Sequence, residues 1–291
     1  MGIDRAVLFR LATSDRLERA VRSLPVAERV AWRAASRYVA GRSWTEALAV
    51  ADRVLAGGHR ISVDLFGELV TDVRAATEVV EQYRSMAAAL PASAADAWLS
   101  VDLTHLALDA DPAGTADRLA EIAGCLPPGR RVQVGAEDAR RTDAVLSCVL
   151  AVAGRGLADR LGGTVQANLL RSPGDADALV AAGVHVRLVK GAYVEAGGAH
   201  AYGEPTDIAY LRLGFRLVEH RAGWSMATHD GRLREALLAA AGPVTVEQLL
   251  GVRPEVLDEL HRRGIPTRVY IPYGQDWFRY WMRRVAESRG V

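Results

Sequence analysis

The 291-residue sequence has few cysteines and no long apolar run, and these absences exclude several classes of protein. Its two cysteines, Cys125 and Cys148, form no CxxC pair and have no histidine at metal-ligand spacing, so disulfides and structural zinc are not expected. We predict that both thiols are buried and inert. No segment approaches the roughly 20 apolar residues of a spanning helix, and the N-terminus lacks an uninterrupted apolar core. A cytoplasmic protein without a transmembrane segment is expected, and peripheral attachment to a membrane is left open.

An excess of either charge is also missing, because 36 Lys and Arg residues face 35 Asp and Glu residues. The sequence contains no basic stripe with interleaved aromatic residues, so nucleic acid is not an expected partner. Lysine is nearly absent, since every Lys or Arg position except Lys190 holds arginine. Arginine supplies positive charge at a surface as well as lysine does. The sole lysine therefore predicts a position that requires a compact ammonium group.

Short β-branched runs alternate with helical patterns over most of the chain, which is typical of βα units and a parallel sheet. Eight strands are predicted, at 59–66, 97–106, 130–137, 163–170, 184–192, 223–230, 242–250 and 267–274. No glycine-rich dinucleotide turn follows the first strand, which disfavours two Rossmann halves. The pattern predicts an α/β fold, a (βα)₈ barrel of the TIM type. Residues 1–58 are predicted as an N-terminal helical segment of two or three helices, and 59–291 as the barrel, in one structural unit.

In such barrels the functional residues cluster at the carboxyl ends of the strands. Polar residues occur at nearly every predicted strand end: Asp102, Thr104, Glu137, Asp138, Gln166, Arg187, Lys190, Thr228, His229, Asp230, Glu247, Tyr270 and Tyr273. The sequence therefore predicts a polar, partly cationic mouth. His229 has no second histidine at HxH or HxxxH spacing, so a metal site is not expected.

Strand alternation places the side chain of either Arg187 or Lys190 inside the barrel, where an unpaired charge is not tolerated. A bound anionic or electron-rich ligand would satisfy that charge. The other interpretation is an internal ion pair with Asp102 or Glu137, since buried pairs also perturb charges. We favour the ligand.

The last predicted helix carries Tyr280, Arg283 and Arg284 at positions i, i+3 and i+4. Two adjacent guanidinium groups can bind a carboxylate or phosphate bidentately. A solvated basic helix end is the alternative, because cations favour the carboxyl end of a helix dipole. Beside Tyr270 and over the mouth of a barrel, a carboxylate clamp is favoured.

Four motifs in order carry a resemblance: LVKGAY after the fifth strand, ATHD at the sixth, LLGVRPE after the seventh and YIPYGQDWFRYWMRR at the end. They resemble the monofunctional bacterial proline dehydrogenases, which are FAD-containing (βα)₈ barrels, and the likeness runs from YVAGRSWTEAL to the end of the chain. The resemblance implies hydride transfer from the ring carbon beside the proline nitrogen to flavin N5. The product is pyrroline-5-carboxylate, and the reduced flavin passes electrons to a quinone.

The resemblance also implies roles for individual residues. Arg187 would be the catalytic residue near flavin N5. The residues implied to contact FAD are Gln166, Arg187, Lys190, Gly191, Ala192, Tyr193, Thr228 and His229. Arg283 and Arg284 would hold the substrate carboxylate, and Tyr270, Tyr280 and Leu249 would enclose the ring.

Three positions depart from the family pattern. The family's SVKLT is SVDLT here, so that Asp102 replaces a lysine that helps to hold the carboxylate. The aspartate of a D-x-E-D pattern is Gly135, and E-F-Q-M-L is TVEQL at 245–249. Lys to Asp changes the local charge by two units, which is worth several kcal/mol in a low-dielectric site.

These departures favour a substrate other than free proline, with Asp102 among its contacts. We expect an FAD-dependent oxidoreductase of proline dehydrogenase type that acts on a modified amino acid or another amine. Ordinary L-proline dehydrogenase activity is the second hypothesis. A Schiff-base lyase acting through Lys190 and a catalytically inactive flavin-binding scaffold are the remaining alternatives.

Overall fold

The computed structural model describes residues 15–90, 96–127, 129–221 and 223–288. Eight parallel strands close into a barrel in sequence order, with β8 pairing with β1. The strands are β1 (Arg60–Leu65), β2 (Ala97–Val101), β3 (Val132–Val134), β4 (Leu161–Gln166), β5 (His185–Val189), β6 (Trp224–Ala227), β7 (Thr245–Leu249) and β8 (Thr267–Tyr273). The predicted (βα)₈ barrel is confirmed, and each predicted strand overlaps an observed one.

Helices precede the barrel, cover its outside and close the chain. They are α1 (Asp15–Ser23), α2 (Pro25–Ala35), α3 (Trp44–Ala56), α4 (Val73–Ala89), α5 (Pro112–Gly124), α6 (Thr142–Val152), α7 (Ser172–Ala181), α8 (Glu204–Glu219), α9 (Gly231–Ala241), α10 (Pro254–Arg262) and α11 (Trp277–Ser288). The first three match the helices predicted before the barrel. The part of that prediction that falls on residues 1–14 lies outside the described residues.

Alternation along each strand separates an apolar outer face from a polar inner one. Ile61 and Val63 of β1 are fully buried against the helix layer, whereas Ser62 and Asp64 of the same strand point into the barrel. Outward β-branched residues are typical of parallel strands covered by helices, which is why the periodicity identified them. The barrel interior is thus filled mainly by polar side chains, and their partners decide its chemistry.

A second apolar cluster ties the N-terminal helices to the last helix. Ala31 and Ala35 of α2 pack with Trp277, Phe278 and Tyr280 of α11, and all five are buried. Because α11 begins directly after β8, this packing holds it at the carboxyl end of the barrel. The side chains of α11 are therefore presented to the mouth.

The two cysteines have different surroundings. Cys148 of α6 is buried as expected, but Cys125 is exposed, so the prediction of two buried thiols is wrong for Cys125. This residue lies just past the last turn of α5, off the face that Leu119 and Ile122 bury. Among the described helices, none combines the length and apolar character needed to cross a bilayer.

Candidate active site

A buried ion pair lies at the centre of the barrel. Arg187 of β5 and Glu247 of β7 approach with 2.7 Å between Nε and Oε2, and both side chains are almost inaccessible to solvent. Arg187 also donates to the hydroxyl of Ser62, at 3.2 Å, and the Ser225 hydroxyl donates to Glu247 Oε1, at 2.6 Å. Strands from opposite sides of the barrel thus hold one guanidinium in a defined position.

This pairing corrects one expectation from the sequence. The sequence favoured a bound ligand as the partner of the buried charge and gave Asp102 or Glu137 as the alternative internal partner, whereas the structure pairs Arg187 internally with Glu247. Asp102 and Glu137 come after the ends of β2 and β3, nearer the mouth, while Glu247 lies inside β7 on the inward face. The side chain that faces the barrel interior is Arg187.

Lys190 follows β5 and is held by two carboxylates of the neighbouring helices. Its Nζ lies 2.6 Å from Asp207 of α8 and 3.2 Å from Asp230, which also caps the start of α9 by accepting from the Arg232 N–H. Burial alone would lower the pKa of Lys190, but the hydrogen bonds to both carboxylates outweigh it and raise the pKa. The ammonium therefore stays protonated.

Three carboxyl groups meet above the ion pair. Asp64 accepts a hydrogen bond from the Tyr270 hydroxyl, and burial raises its pKa to about 7 although Tyr270 and Arg187 oppose the rise. Burial also raises the pKa of Asp102, helped by the charges of Asp64 and Glu137. The pKa of Glu137 is raised for the same first reason. A site with so many acids favours a cationic ligand group.

Asp102 occupies space that a glycine leaves open. A Cβ placed on Gly135 would lie 1.8 Å from Oδ1 of Asp102, far inside any van der Waals contact. The carboxylate therefore lies against the backbone of the strand next to its own. The two departures from the family pattern therefore meet in space, because a side chain at position 135 would force the Asp102 carboxylate to move.

The basic residues of α11 lie on the other side of the mouth. Arg283 reaches toward Glu68, at 3.8 Å, and lowers the pKa of Asp102. The guanidinium of Arg284 stacks over the ring of Tyr280 with 4.9 Å to the ring centre. The rings of Tyr270 and Tyr280 lie 6.4 Å apart. The predicted arginine pair and tyrosine pair are therefore brought together at the mouth.

The segments after β4 and β5 approach each other closely. Gln166 is buried and donates to the carbonyl of Glu137, at 2.8 Å. Gly191 has a φ of 106°, and a Cβ there would lie 2.0 Å from Oδ1 of Asn168. Only glycine allows both this backbone conformation and this approach.

The remaining predicted residues lie around the same rim. The Thr228 hydroxyl is buried and accepts from the N–H of Asp230. Burial and the nearby Arg284 lower the pKa of His229 to about 4, so its ring is neutral. Three further predicted contacts complete the rim, namely exposed Ala192, largely exposed Tyr193, whose hydroxyl donates to the Ala136 carbonyl, and Leu249, which pairs with Tyr270 in register.

Several residues at the site were not predicted. Asp64, Glu68, Asp207 and Asn168 lie at or beside the mouth, and the charge of Asp64 raises the pKa of Asp102 and of Tyr270. The inward positions of RISVDL would have identified Asp64, because it shares a face with Ser62. Tyr273, in contrast, points away from the mouth, and its hydroxyl contacts the sulfur of Met86.

This arrangement suits a small zwitterion. The basic residues of α11 and the acids at the ends of β1, β2 and β3 face each other across a space that Tyr270 and Tyr280 enclose. The guanidinium of Arg187 lies beneath this space. A closed (βα)₈ barrel with such a mouth defines an enzyme whose chemistry takes place at the carboxyl ends of its strands.

Comparison with known proteins identifies the family. Residues 47–291 match the family model described as proline dehydrogenase, and the chain belongs to that family of oxidoreductases. Proline dehydrogenase from Deinococcus radiodurans is 30% identical over 272 residues, which cover 88% of this chain and 87% of that protein. Proline dehydrogenase 1 from Bacillus subtilis is 29% identical over 262 residues, covering 87% and 86%.

Solved structures share the fold. Proline utilization A from Bdellovibrio bacteriovorus, inactivated by N-propargylglycine, superposes with a TM-score of 0.82 at 19% identity over 98% of this chain and 36% of that chain. A variant of proline utilization A from Bradyrhizobium japonicum gives 0.73 at 21% identity, over 94% and 33%. This chain therefore spans about a third of their length.

Proposed function

We propose that this protein is an FAD-dependent L-proline dehydrogenase that oxidises proline to pyrroline-5-carboxylate. The observation that carries the proposal is the joint placement of Arg187, Arg283, Tyr270 and Tyr280 at one barrel mouth in a chain of this family. An electron acceptor, such as a quinone, is the second substrate, and the cytoplasm is the proposed location.

The residues beside β4, β5 and β6 fit a large hydrogen-bonding cofactor. Within the described ranges, Nδ1 of His229 and Oδ1 of Asn168 are buried and have no hydrogen-bond partner. A buried polar atom without a partner is costly, so these atoms favour a ligand that supplies one. This donor set fits FAD, with Gln166, Lys190 and Thr228 also among its proposed contacts.

Bound FAD would supply the acceptor for the hydride that leaves the ring carbon beside the amine. The chain's own residues do the rest. Arg283 binds the carboxylate of the substrate, Tyr270 and Tyr280 enclose its ring, and neutral His229 contributes no competing charge. Arg187 is held rigidly by Glu247 and Ser62 beneath this space, which keeps its guanidinium in a fixed orientation.

Ordinary proline is favoured over the modified substrate expected from the sequence. The relatives named above are proline dehydrogenases, and the comparisons give no support to a different substrate. The charge reversal at Asp102 is also smaller than it first appeared. Because burial raises the pKa of this carboxyl, its negative charge is partly suppressed while no ligand is bound.

A Schiff-base mechanism finds no support in the geometry. An imine-forming lysine needs a lowered pKa, so that its amine is free to attack a carbonyl. The ammonium of Lys190 is instead bound by Asp207 and Asp230, and its pKa is raised. A structural role beside the cofactor is the better assignment for this lysine.

An anaerobic titration of the purified protein with L-proline, followed through the visible flavin absorbance, tests the proposal. We expect proline to bleach the flavin. A flavin spectrum that does not change on addition of proline would contradict the proposed substrate. A purified protein without flavin would contradict the proposed cofactor.

One pair of variants makes the test sharper. Arg283→Met should lower kcat/KM for proline about a hundredfold, since it removes a charged hydrogen bond to the carboxylate. Arg279→Met, one turn earlier on α11, removes an arginine that pairs with Glu18 and lies 3.8 Å from Glu68, and it should lower kcat/KM far less. Equal losses in both variants would mean that α11 was merely disturbed.

A further inference from the structure

We infer that Asp102 binds the ammonium group of the substrate and thereby selects amino acids over carboxylates that lack an amine. The inference deepens the proposed function and rests on it. It concerns a residue at which this chain departs from its family pattern, so no role can be transferred to it by resemblance.

The first observation is that Asp102 has a place in the mouth without a structural task there. It stands immediately before a short 3₁₀-helix, Leu103–Leu106, but its side chain does not cap that helix. Aspartates at helix starts elsewhere in the chain do cap, as Asp72, Asp111 and Asp230 show. The carboxylate of Asp102 is thus available for a ligand.

The second observation is that Gly135 makes this position possible. The Oδ1 atom lies 1.8 Å from the site of a Cβ on Gly135, and Cγ lies 3.1 Å from it. Any side chain at 135 would displace the carboxylate. Asp102 and Gly135 therefore act as a unit that places one anionic group beside the tyrosine wall.

The third observation is the charge that surrounds Asp102. Asp64, Glu68 and Glu137 are the acids that face it, and Arg283 is the cation. An α-amino acid carries a carboxylate and an ammonium two bonds apart. With its carboxylate on Arg283, its ammonium can lie on Asp102, so both ends of the zwitterion find an opposite charge.

The inference explains how the mouth tolerates its acids. A carboxyl that is costly to ionise in the free protein becomes a good ligand when a cation enters with the substrate. A carboxylate without an amine brings no such cation. The preference for the amine therefore depends on Asp102.

The test compares two ligands of the same size. Cyclopentanecarboxylate keeps the ring and carboxylate of proline but has no amine. Binding is measured by anaerobic calorimetry on the flavin-containing protein after reduction with dithionite, because a reduced flavin cannot oxidise bound proline. The measured quantity is the ratio of the two Kd values.

In the unmodified protein we expect proline to bind more tightly. Asp102→Asn should weaken proline binding about tenfold or more and leave cyclopentanecarboxylate unchanged or tighter. Asp117→Asn, which removes an exposed carboxylate on the outside of α5, is the matched control and should change neither Kd.

A second variant covers the case in which Asp102→Asn folds poorly. Gly135→Ala keeps the carboxylate but displaces it, so the preference for proline should fall here too. In an Asp102→Ala background, Gly135→Ala should have no further effect on the ratio of Kd values, because no carboxylate remains to be displaced.

Each outcome decides. Loss of proline binding alone in Asp102→Asn supports the inference. An equal loss for both ligands, or no loss for either, overturns it while the proposed function stands. An unmodified protein that binds neither ligand overturns the proposed function and the inference together.

Discussion

The floor of the barrel, where Arg268 and Trp98 lie, and its mouth both contain buried charged groups, but the floor holds a cation whereas the mouth gathers acids. Arg268 of β8 donates to the carbonyls of Ile61 and Asp96, at 2.8 and 2.9 Å, and its guanidinium lies 3.5 Å from the ring centre of Trp98. At the mouth, Asp64 and Asp102 have pKa values raised by burial. Burial disfavours the charged form in both regions, because it also lowers the pKa of Arg268 to about 9. The cluster of buried acids at the mouth favours a cationic ligand group, whereas the cation of the floor is held by carbonyls and an aromatic ring.

Glu247 is the link between the two regions. It forms the close ion pair with Arg187 and lies 3.8 Å from Arg268 through its other oxygen. Its inward position in β7 thus serves the floor and the site at once. Substitutions can test the two regions separately, and we expect the largest effect on stability at Glu247.

The largest effect is expected for Glu247→Gln. Removing this charge leaves Arg187 buried with no carboxylate in contact, and breaking a buried ion pair costs about 3 to 5 kcal/mol of unfolding free energy. The measurement is urea unfolding followed by circular dichroism. Glu235→Gln removes an equivalent carboxylate from an exposed pair with Arg263 and should cost less than about 1 kcal/mol. Similar losses in the two variants would contradict the special position of Glu247.

The next effect is the pH dependence contributed by Asp64. Its pKa is about 7 in the folded protein and 3.8 ordinarily, so the folded state holds a proton through this window that the unfolded state releases. The stability that this proton contributes is present at low pH and lost as the pH rises toward 7. Relative to Asp64→Asn, the unmodified protein should lose about 3 kcal/mol between pH 5 and 8.

Urea unfolding of both proteins at several pH values measures that difference. Asp117→Asn, with its exposed side chain, should run parallel to the unmodified protein. If the stability of Asp64→Asn also varies with pH as that of the unmodified protein does, then Asp64 is ionised throughout and burial does not raise its pKa.

The outer faces of the strands could be predicted from the sequence far better than the inner contacts. Runs such as ISV and LVK alternate visibly, so the strands and the barrel followed from periodicity. The partner of Arg187 did not follow, because Glu247 lies 60 residues later and reaches it across β6 on the inner face of the curved sheet. The contact of Asp64 with Tyr270 did not follow either, since it depends on the pairing of β1 with β8 that closes the barrel.

Steric relations are also hidden from the sequence. Asp102 and Gly135 were both noticed as departures from the family pattern, but as separate ones. The Asp102 carboxylate fills the space beside Gly135 because of the register of β2 and β3, in which Val101 pairs with Val134. Sequence reasoning therefore noticed Asp102 and Gly135 and missed how they depend on one another.

The smallest effect should come from the floor and have the opposite sign. His185 contacts Trp98, with 4.9 Å between ring centres, and burial together with Arg131 and Arg268 lowers its pKa well below 6.5. Below pH 6.5 His185 binds a proton in the unfolded chain but not in the folded protein, so stability is lost as the pH falls. Between pH 7 and 5 the unmodified protein should lose at most about 2 kcal/mol relative to His185→Gln. The same unfolding series measures this loss, with the exposed His220→Gln as the control that should follow the unmodified protein. A loss at low pH through His185 and a loss at high pH through Asp64 would confirm that burial disfavours the charged form at both ends of the barrel, whereas equal signs would contradict it.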